Sequence, residues 1–221
     1  MYIISELIKD YIPSVKSSDT AGMALEWMNE FKLAQLPVVD DGLYKGLITE
    51  DNILEAPSLA AQIKDIQYHG YETAYLHAGK HIYDAIQVMS TMSLEILPIL
   101  DEDNTYLGVV TLKDLMTGLG NIFAIHEPGG LIVLEIPQKG YALSEIARIA
   151  ESENAKILSL YMSRAPQGHY LLTLKLNIED LSRVVASFER FEYKVVKTYY
   201  NIQQIDDYQR NIDALMNYLD I

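Results

Sequence analysis

The sequence predicts an α+β protein: two copies of a β-α-β-β-α unit, then a βαββαβ unit, then a C-terminal amphipathic helix. Three observations carry this. A helix-strand-strand passage occurs twice, at an offset of 61 residues that becomes 62 before the last strand. A break at His126-Glu127-Pro128-Gly129-Gly130 separates that half from one with a different order of periodicities. Beyond residue 200, Ile205, Tyr208, Ile212, Leu215, Met216 and Leu219 fall on one helical stripe.

In the first copy, Ser17-Ser18-Asp19 offers N-cap chemistry to a helix bearing Ala21, Ala24, Leu25, Met28 and Phe31. Leu36–Val39 reads as a buried strand, Asp40-Asp41-Gly42 as a turn and Tyr44–Ile48 as a second strand. In the second copy the helix bears Ile82, Ala85, Ile86, Met89 and Met92. The strands are Leu97–Leu100 and Tyr106–Val110, joined by Asp101-Glu102-Asp103-Asn104, whose extra residue accounts for the change of offset. Thr49 and Thr111 stand where strand gives way to helix, so their hydroxyls can cap a helix N-terminus, itself a natural anion site. Residues 55–73 join the copies. Pro57 and Gly70 interrupt periodicity there, and Ile63-Lys64-Asp65-Ile66 reads as a lead-in to the second copy.

Past the break, Leu131–Ile136 is a strand and Leu143, Ile146, Ala147 and Ala150 mark a helix. Ile157–Met162 and Tyr170–Leu176 are strands around a hairpin turn at 165–168. Asn177 can cap a helix bearing Leu181, Val184, Val185 and Phe188, and Tyr193–Tyr199 closes as a strand. That order is the ferredoxin-like arrangement. The implied domains are 1–62, 63–125, a linker at 126–130, 131–200 and a tail at 201–221.

Composition narrows the function. A formal charge of −14 repels phosphate backbones and anionic lipid, so nucleic-acid and membrane-surface partners are disfavoured. A single nucleotide needs only a few local donors and remains compatible. The absence of cysteine excludes disulfides, thiolate catalysis and Cys-ligated zinc, and fits a reducing cytoplasm. Met1–Glu6 lacks a basic stretch followed by an apolar run, which argues against a signal peptide. No apolar run approaches membrane-span length. The 16 tyrosines, against 4 Phe and 1 Trp, suit core-edge and interface positions, where the ring is buried and the hydroxyl solvated.

The two copies resemble CBS domains. The resemblance rests on Ala24-Leu25-x-x-Met28 and Ala85-Ile86-x-x-Met89, on Leu36-Pro37-Val38-Val39-Asp40 and Leu97-Pro98-Ile99-Leu100-Asp101, and on Gly46-Leu47-Ile48-Thr49 and Gly108-Val109-Val110-Thr111. A back-to-back pair resembles a Bateman module over residues 1–125. The following unit is similar to an ACT domain, with Pro137–Leu143 standing at its first loop and Gly140-Tyr141 within it. The order of units is similar to that of the acetoin-utilisation regulator type.

The resemblance implies an adenosyl ligand as effector: AMP, ADP, ATP, a dinucleotide or S-adenosylmethionine. No other cofactor is required. In the family a Thr/Ser-x-x-Asp motif after the last strand holds the sugar, because a carboxylate can accept from both ribose hydroxyls. Thr111-Leu112-Lys113-Asp114 matches it, whereas Thr49-Glu50-Asp51-Asn52 puts Asn at the Asp position. Asn52 could accept one hydroxyl without charge. Asp51, one place early, would point about 100° away on a helix. By family geometry Thr111 and Asp114 face Leu33, Ala34, Leu36 and Pro37, with Ala24 nearby. Thr49 and Asn52 face Leu94, Glu95, Ile96 and Pro98, with Ala85 nearby, and form the weaker pocket. On the phosphate side Asp19 leads the first helix, where Lys80 and His81 lead the second. A neutral-tailed ligand would suffer less repulsion beside Asp19 than a triphosphate.

Several plainer readings stand beside these. Asp114 could only stabilise a helix dipole. His77 and His81 are four apart, but Gly79 and the strand-to-helix change between them argue against a metal site. Gly79-Lys80 lacks the earlier glycine of a phosphate loop. The acidic turns are solvated hairpin chemistry rather than cation sites. Gly140 could open an amino-acid site or simply supply a turn. No nucleophile–base pair, nucleophile elbow or metal cluster is legible, so the chain reads as a non-catalytic sensor. The alternatives are an assembly scaffold with vestigial pockets, or amino-acid sensing through the ACT-like unit. A homodimer is expected, and the lack of an output domain points to an unidentified protein partner.

Overall fold

The two copies fold alike in the computed structural model, which describes residues 4–66, 71–165 and 168–199. In the first copy α1 (Ala21–Phe31) buries Ala21, Ala24 and Met28. β1 (Gln35–Asp40) and β2 (Leu43–Thr49) form an antiparallel hairpin, and α2 (Glu50–Leu54) follows directly. In the second, β3 (Leu76–His77) pairs parallel with β4 (Ile96–Leu100), and β4 pairs antiparallel with β5 (Tyr106–Thr111). Between β3 and β4, α3 (Ile82–Met92) buries Ile82, Ala85 and Met89, and α4 (Leu112–Ile122) ends the copy. The leading strand of the expected unit is short: two residues in β3, and a single parallel bridge from Val15 to Val38 in the first copy.

The N-cap of α1 is Thr20, not the Ser17–Asp19 stretch. Its hydroxyl accepts from the Met23 N–H at 3.3 Å. Asp19 instead accepts from the Lys16 N–H at 2.7 Å, and Ser17 bonds to Asp40. The helix starts one residue later than the polar cluster suggests, because Asp19 and Ser17 are engaged in the preceding turn.

The lead-ins are exchanged. Ile63 and Ile66, read as an approach to the second copy, pack in the first copy's core with Val15, Ala24 and Leu36. The chain leaving α2 passes back over α1, where the Ile63 N–H donates to Asp19 O and Thr20 bridges Gln62. Conversely, the stretch from Ile4 to Lys9 belongs to the second copy. The Ile4 N–H donates to Lys80 O, and Lys9 and Val109 exchange backbone bonds of 2.7 and 3.1 Å. Gly108 makes this approach possible, because a Cβ there would sit 2.6 Å from Lys9 O. The hairpin tips meet as well, Leu43 bridging Thr105 and the Tyr106 N–H donating to Gly42 O.

The chain divides into two units, Met1–Leu119 and Gly120–Ile221. The second unit contains β6 (Leu131–Pro137), α5 (Leu143–Ser152), β7 (Ile157–Arg164), β8 (His169–Leu176), α6 (Ser182–Arg190) and β9 (Lys194–Tyr199). Its antiparallel sheet has the order β7-β8-β6-β9, the ferredoxin-like topology. Alternation on the central strands sends Ile132, Leu134, Ile136, Leu172, Leu174 and Leu176 to the helices, where Ile146, Ile149, Val184 and Phe188 meet them. Asn177 does not cap α6. Its side chain accepts from the Lys156 N–H at 2.6 Å, and the Asp180 carboxylate takes the Ser182 N–H at the helix start. Pro166 and Gln167 of the hairpin turn, Gly70 of the joining segment and the whole tail helix expected at 201–221 lie outside the described residues. Among the described residues no helix is long and apolar enough to cross a membrane.

Gly108 has φ +141°, a conformation side chains rarely adopt, besides its contact with Lys9. Gly108→Ala is expected to cost about 1–3 kcal/mol. Urea melts would show it, whereas Gly79→Ala, which meets open space, should change little.

Candidate functional site

Thr111 ends β5, and Asp114 lies in the first turn of α4. The two side chains close a reciprocal cap. The Asp114 N–H donates to Thr111 Oγ1 at 3.1 Å, while Asp114 Oδ2 accepts the Thr111 hydroxyl at 2.5 Å and its N–H at 3.3 Å. Oδ2 is thereby committed to the cap. Oδ1 points away from it, and Lys9 Nζ lies 3.5 Å from Oδ1. The sequence reading missed Lys9. No pattern announces it, since its counterpart at the repeat offset is Gly70.

The equivalent cap in the first copy has the opposite outward polarity. Asn52 Oδ1 accepts from the Thr49 N–H at 3.0 Å and its hydroxyl at 2.8 Å. Asn52 therefore presents its amide N–H₂, a donor, where Asp114 presents an acceptor. The oxygen expected to accept a hydroxyl is thus engaged in the cap.

Between the two caps the copies touch through their strand entries. The Ala34 N–H donates to Glu95 Oε2 at 3.0 Å, and the Glu95 N–H donates to Gln35 Oε1 at 3.1 Å. Each entry also anchors the helix start of its own copy: the Glu50 N–H donates to Ala34 O, and the Leu112 N–H to Glu95 O. A hollow of about 300 Å³ opens here, lined by Met28, Asn29, Lys32, Leu33, Ala34, Glu50 and Glu95. Gln35 was missed too, although its signal was present: a polar residue where the other copy has Ile96.

The structure brings together Ala34 and Glu95, Thr111 and Asp114, and Thr49 and Asn52. Ala24, Leu36, Ala85 and Ile96 are fully buried, and Leu94, Pro37 and Pro98 are buried as well, so these apolar residues hold the strands and helices in place. Leu33 and Ala34 are half-buried and Glu95 is exposed. On the outward side of Asp114 stands Lys9, from the exchanged lead-in. His81 caps α3, its Nδ1 accepting from the Tyr83 N–H at 3.2 Å. Lys80 lines a second hollow, of about 420 Å³, with His77, Gly79 and Glu102. His77 bonds to Asn104, and no cluster of three metal-ligating side chains occurs among the described residues.

The pattern of two matched stretches decides the family. The CBS domain family model matches residues 4–59 and 65–121. The chain belongs to the CBS domain family. Its two CBS repeats form a Bateman module, and the four-stranded ferredoxin-like sheet that follows is consistent with an ACT-like domain. The chain is 30% identical over 111 residues to inosine-5'-monophosphate dehydrogenase of Methanocaldococcus jannaschii, covering 50% of this chain and 22% of that protein. It is 29% identical over 120 residues to the CBS domain-containing protein YhcV of Bacillus subtilis, covering 52% of this chain and 84% of that one. A CBS domain pair/ACT domain protein from Thermotoga maritima superposes with a TM-score of 0.49 at 20% identity, over 53% of this chain and 95% of that one. The chain thus spans about a fifth of the length of the dehydrogenase it matches.

In the ACT-like domain Gly140 has φ +90° with open space around it, and Tyr141 packs against the domain core. Nearby, Glu135 accepts from Lys194 at 2.7 Å and pairs with His169 at 2.6 Å; Lys194 first and then His169 hold its carboxyl below the usual range.

In the first CBS repeat the Ser17 hydroxyl, then its N–H, holds the Asp40 carboxyl below its ordinary value. A depressed carboxylate stabilises the fold above its unfolded value, and that stability is lost as pH falls through the folded one. Ser17→Ala is expected to cost about 1 kcal/mol at neutral pH. The gap from wild type should close below about pH 4. Urea titrations at pH 7 and pH 3 would check this.

Proposed function

We propose that the chain is a non-catalytic sensor that binds an adenosyl ligand at Thr111–Asp114. The carrying observation is the division of labour in the Asp114 carboxylate: one oxygen closes the helix cap, and the other is left outward as an acceptor. A ribose hydroxyl can donate to that oxygen without disturbing the cap. Leu33, Ala34, Leu36, Pro37 and Ala24 would support the base wall from the strand entry. Thr49–Asn52 is the weaker pocket, because its outward group is a donor; Lys80, His81, Glu95, Ile96 and Pro98 would border it. Occupancy would shift the repeats only if the ligand binds one arrangement more tightly than another.

The sensor would act as a homodimer, passing its state to a protein partner. The two edges of the ACT-like sheet differ. β9 carries Lys194 and Lys197, charges that discourage strand pairing, whereas β7 has no charge from Ile157 to Ser163 and exposes Leu160, Tyr161 and Met162. A neutral antiparallel edge can pair with its own copy about a two-fold axis. Leu160→Lys should then yield a monomer in light scattering; a dimer unchanged by this variant would exclude the β7 edge.

A second reading, an assembly scaffold with vestigial pockets, is favoured by the donor at Asn52 and the burial of the expected base-wall residues. Thermal midpoints against AMP, ADP, ATP, NAD, S-adenosylmethionine, cyclic di-AMP and the common amino acids separate the readings. A ligand at 100 times its Kd should stabilise by about 2.7 kcal/mol. The sensor reading expects such a shift with an adenosyl compound, lost in Asp114→Ala. A shift with an amino acid alone would move sensing to the ACT-like domain, and no shift at all would leave the scaffold.

A further inference from the structure

Lys9 is the one residue at the Asp114 cap that no repeat motif supplies. Its main chain is pinned on both sides: the Lys9 N–H donates to Val109 O, and the Val109 N–H donates back to Lys9 O. Gly108 gives that backbone room to approach. The ammonium is thus presented from a fixed anchor, 3.5 Å from Oδ1 of Asp114, the oxygen outside the cap, with which it forms an ion pair. Both side chains remain partly open to solvent, 33% for Lys9 and 18% for Asp114.

We propose that Lys9 and Asp114 together form a clamp for a vicinal diol, and that Lys9 makes the site discriminate ribose from deoxyribose. This rests on the reading of Thr111–Asp114 as a nucleoside site. Each hydroxyl of a diol is both a donor and an acceptor. A carboxylate only accepts and an ammonium only donates, so Asp114 alone would leave the hydroxyl lone pairs unmatched. Asp114 Oδ1, already facing Lys9, accepts a hydrogen bond from one diol hydroxyl, and Lys9 Nζ, with three donors, supplies bonds to the diol oxygens. The pair is also neutral as a whole, which spares a desolvated lone carboxylate in a chain of charge −14. In the first repeat Asn52 turns an amide donor outward and has no carboxylate, so the clamp is a property of the second cap.

The test is titration calorimetry of the full chain with AMP, 2'-deoxy-AMP, 3'-deoxy-AMP and adenosine, on wild type, Lys9→Met and Lys9→Arg. Charge-assisted hydrogen bonds set the scale. Wild type should prefer AMP over a deoxy analogue by roughly tenfold or more, and Lys9→Met should lose roughly tenfold of that preference. Its AMP-to-adenosine ratio should stay unchanged, and Lys9→Arg should restore discrimination. An unchanged ribose preference in Lys9→Met overturns the clamp and leaves the nucleoside reading standing. So does a change confined to the AMP-to-adenosine ratio, which would make Lys9 a phosphate partner. If wild type binds none of the four compounds, the clamp and the nucleoside reading fall together. Unliganded melting of Lys9→Met at the wild-type midpoint confirms that the variant is folded.

Discussion

The two-way backbone pairing of Lys9 with Val109 is the contact on which the rest of the Bateman module depends. It makes the first residues of the chain part of the second repeat, while Ile63 and Ile66 make the joining segment part of the first. Neither repeat has a complete core without chain from the other. A duplicated unit that exchanges its lead-ins cannot separate without exposing Ile4 or Ile63, both fully buried. The exchange also brings a cation to the Asp114 cap, which no residue of the second repeat supplies in that position. Stability and site composition therefore share one cause.

The two repeats share their order of elements and differ in polar detail. Both caps use the same Thr-x-x geometry, but one ends in a carboxylate and the other in an amide, which reverses the outward polarity. At the shared centre, Glu95 accepts from Ala34 and donates to Gln35, so one repeat provides the charged group and the other the neutral one. A repeat can diverge in this way because the cap needs only one side-chain oxygen.

The ACT-like domain is built on a different economy. Its core lies between one sheet face and two helices, with Phe188 fully buried against the central strands. Tyr193 joins the helix layer to the sheet, its hydroxyl donating to Glu145 at 2.7 Å; burial first, and then that bond, push its phenol up to about 12. One edge is guarded by lysines and the other is not, a contrast that only matters once the strand order is known.

How much was legible in the chain follows from what is local. Helix periods, strand runs, the turns and the Thr-x-x-Asp cap all depend on residues within a few positions of each other, and the repeat made each of them visible twice. The βαββαβ order could be read for the same reason. The N-caps at Thr20 and Leu181 were not, because Ser17, Asp19 and Asn177 are drawn to partners such as Asp40 and Lys156, and competition between alternative partners is decided by tertiary contact. Lys9 could not be read at all. Its role comes from a chain crossing that spans about a hundred residues between Lys9 and Val109, and no periodicity records a long-range pairing. The sequence alone therefore determined the units, their order and the Thr-x-x-Asp motif; tertiary structure decided which strand each lead-in joins, which oxygen of Asp114 lies outside the cap and what charge stands beside it.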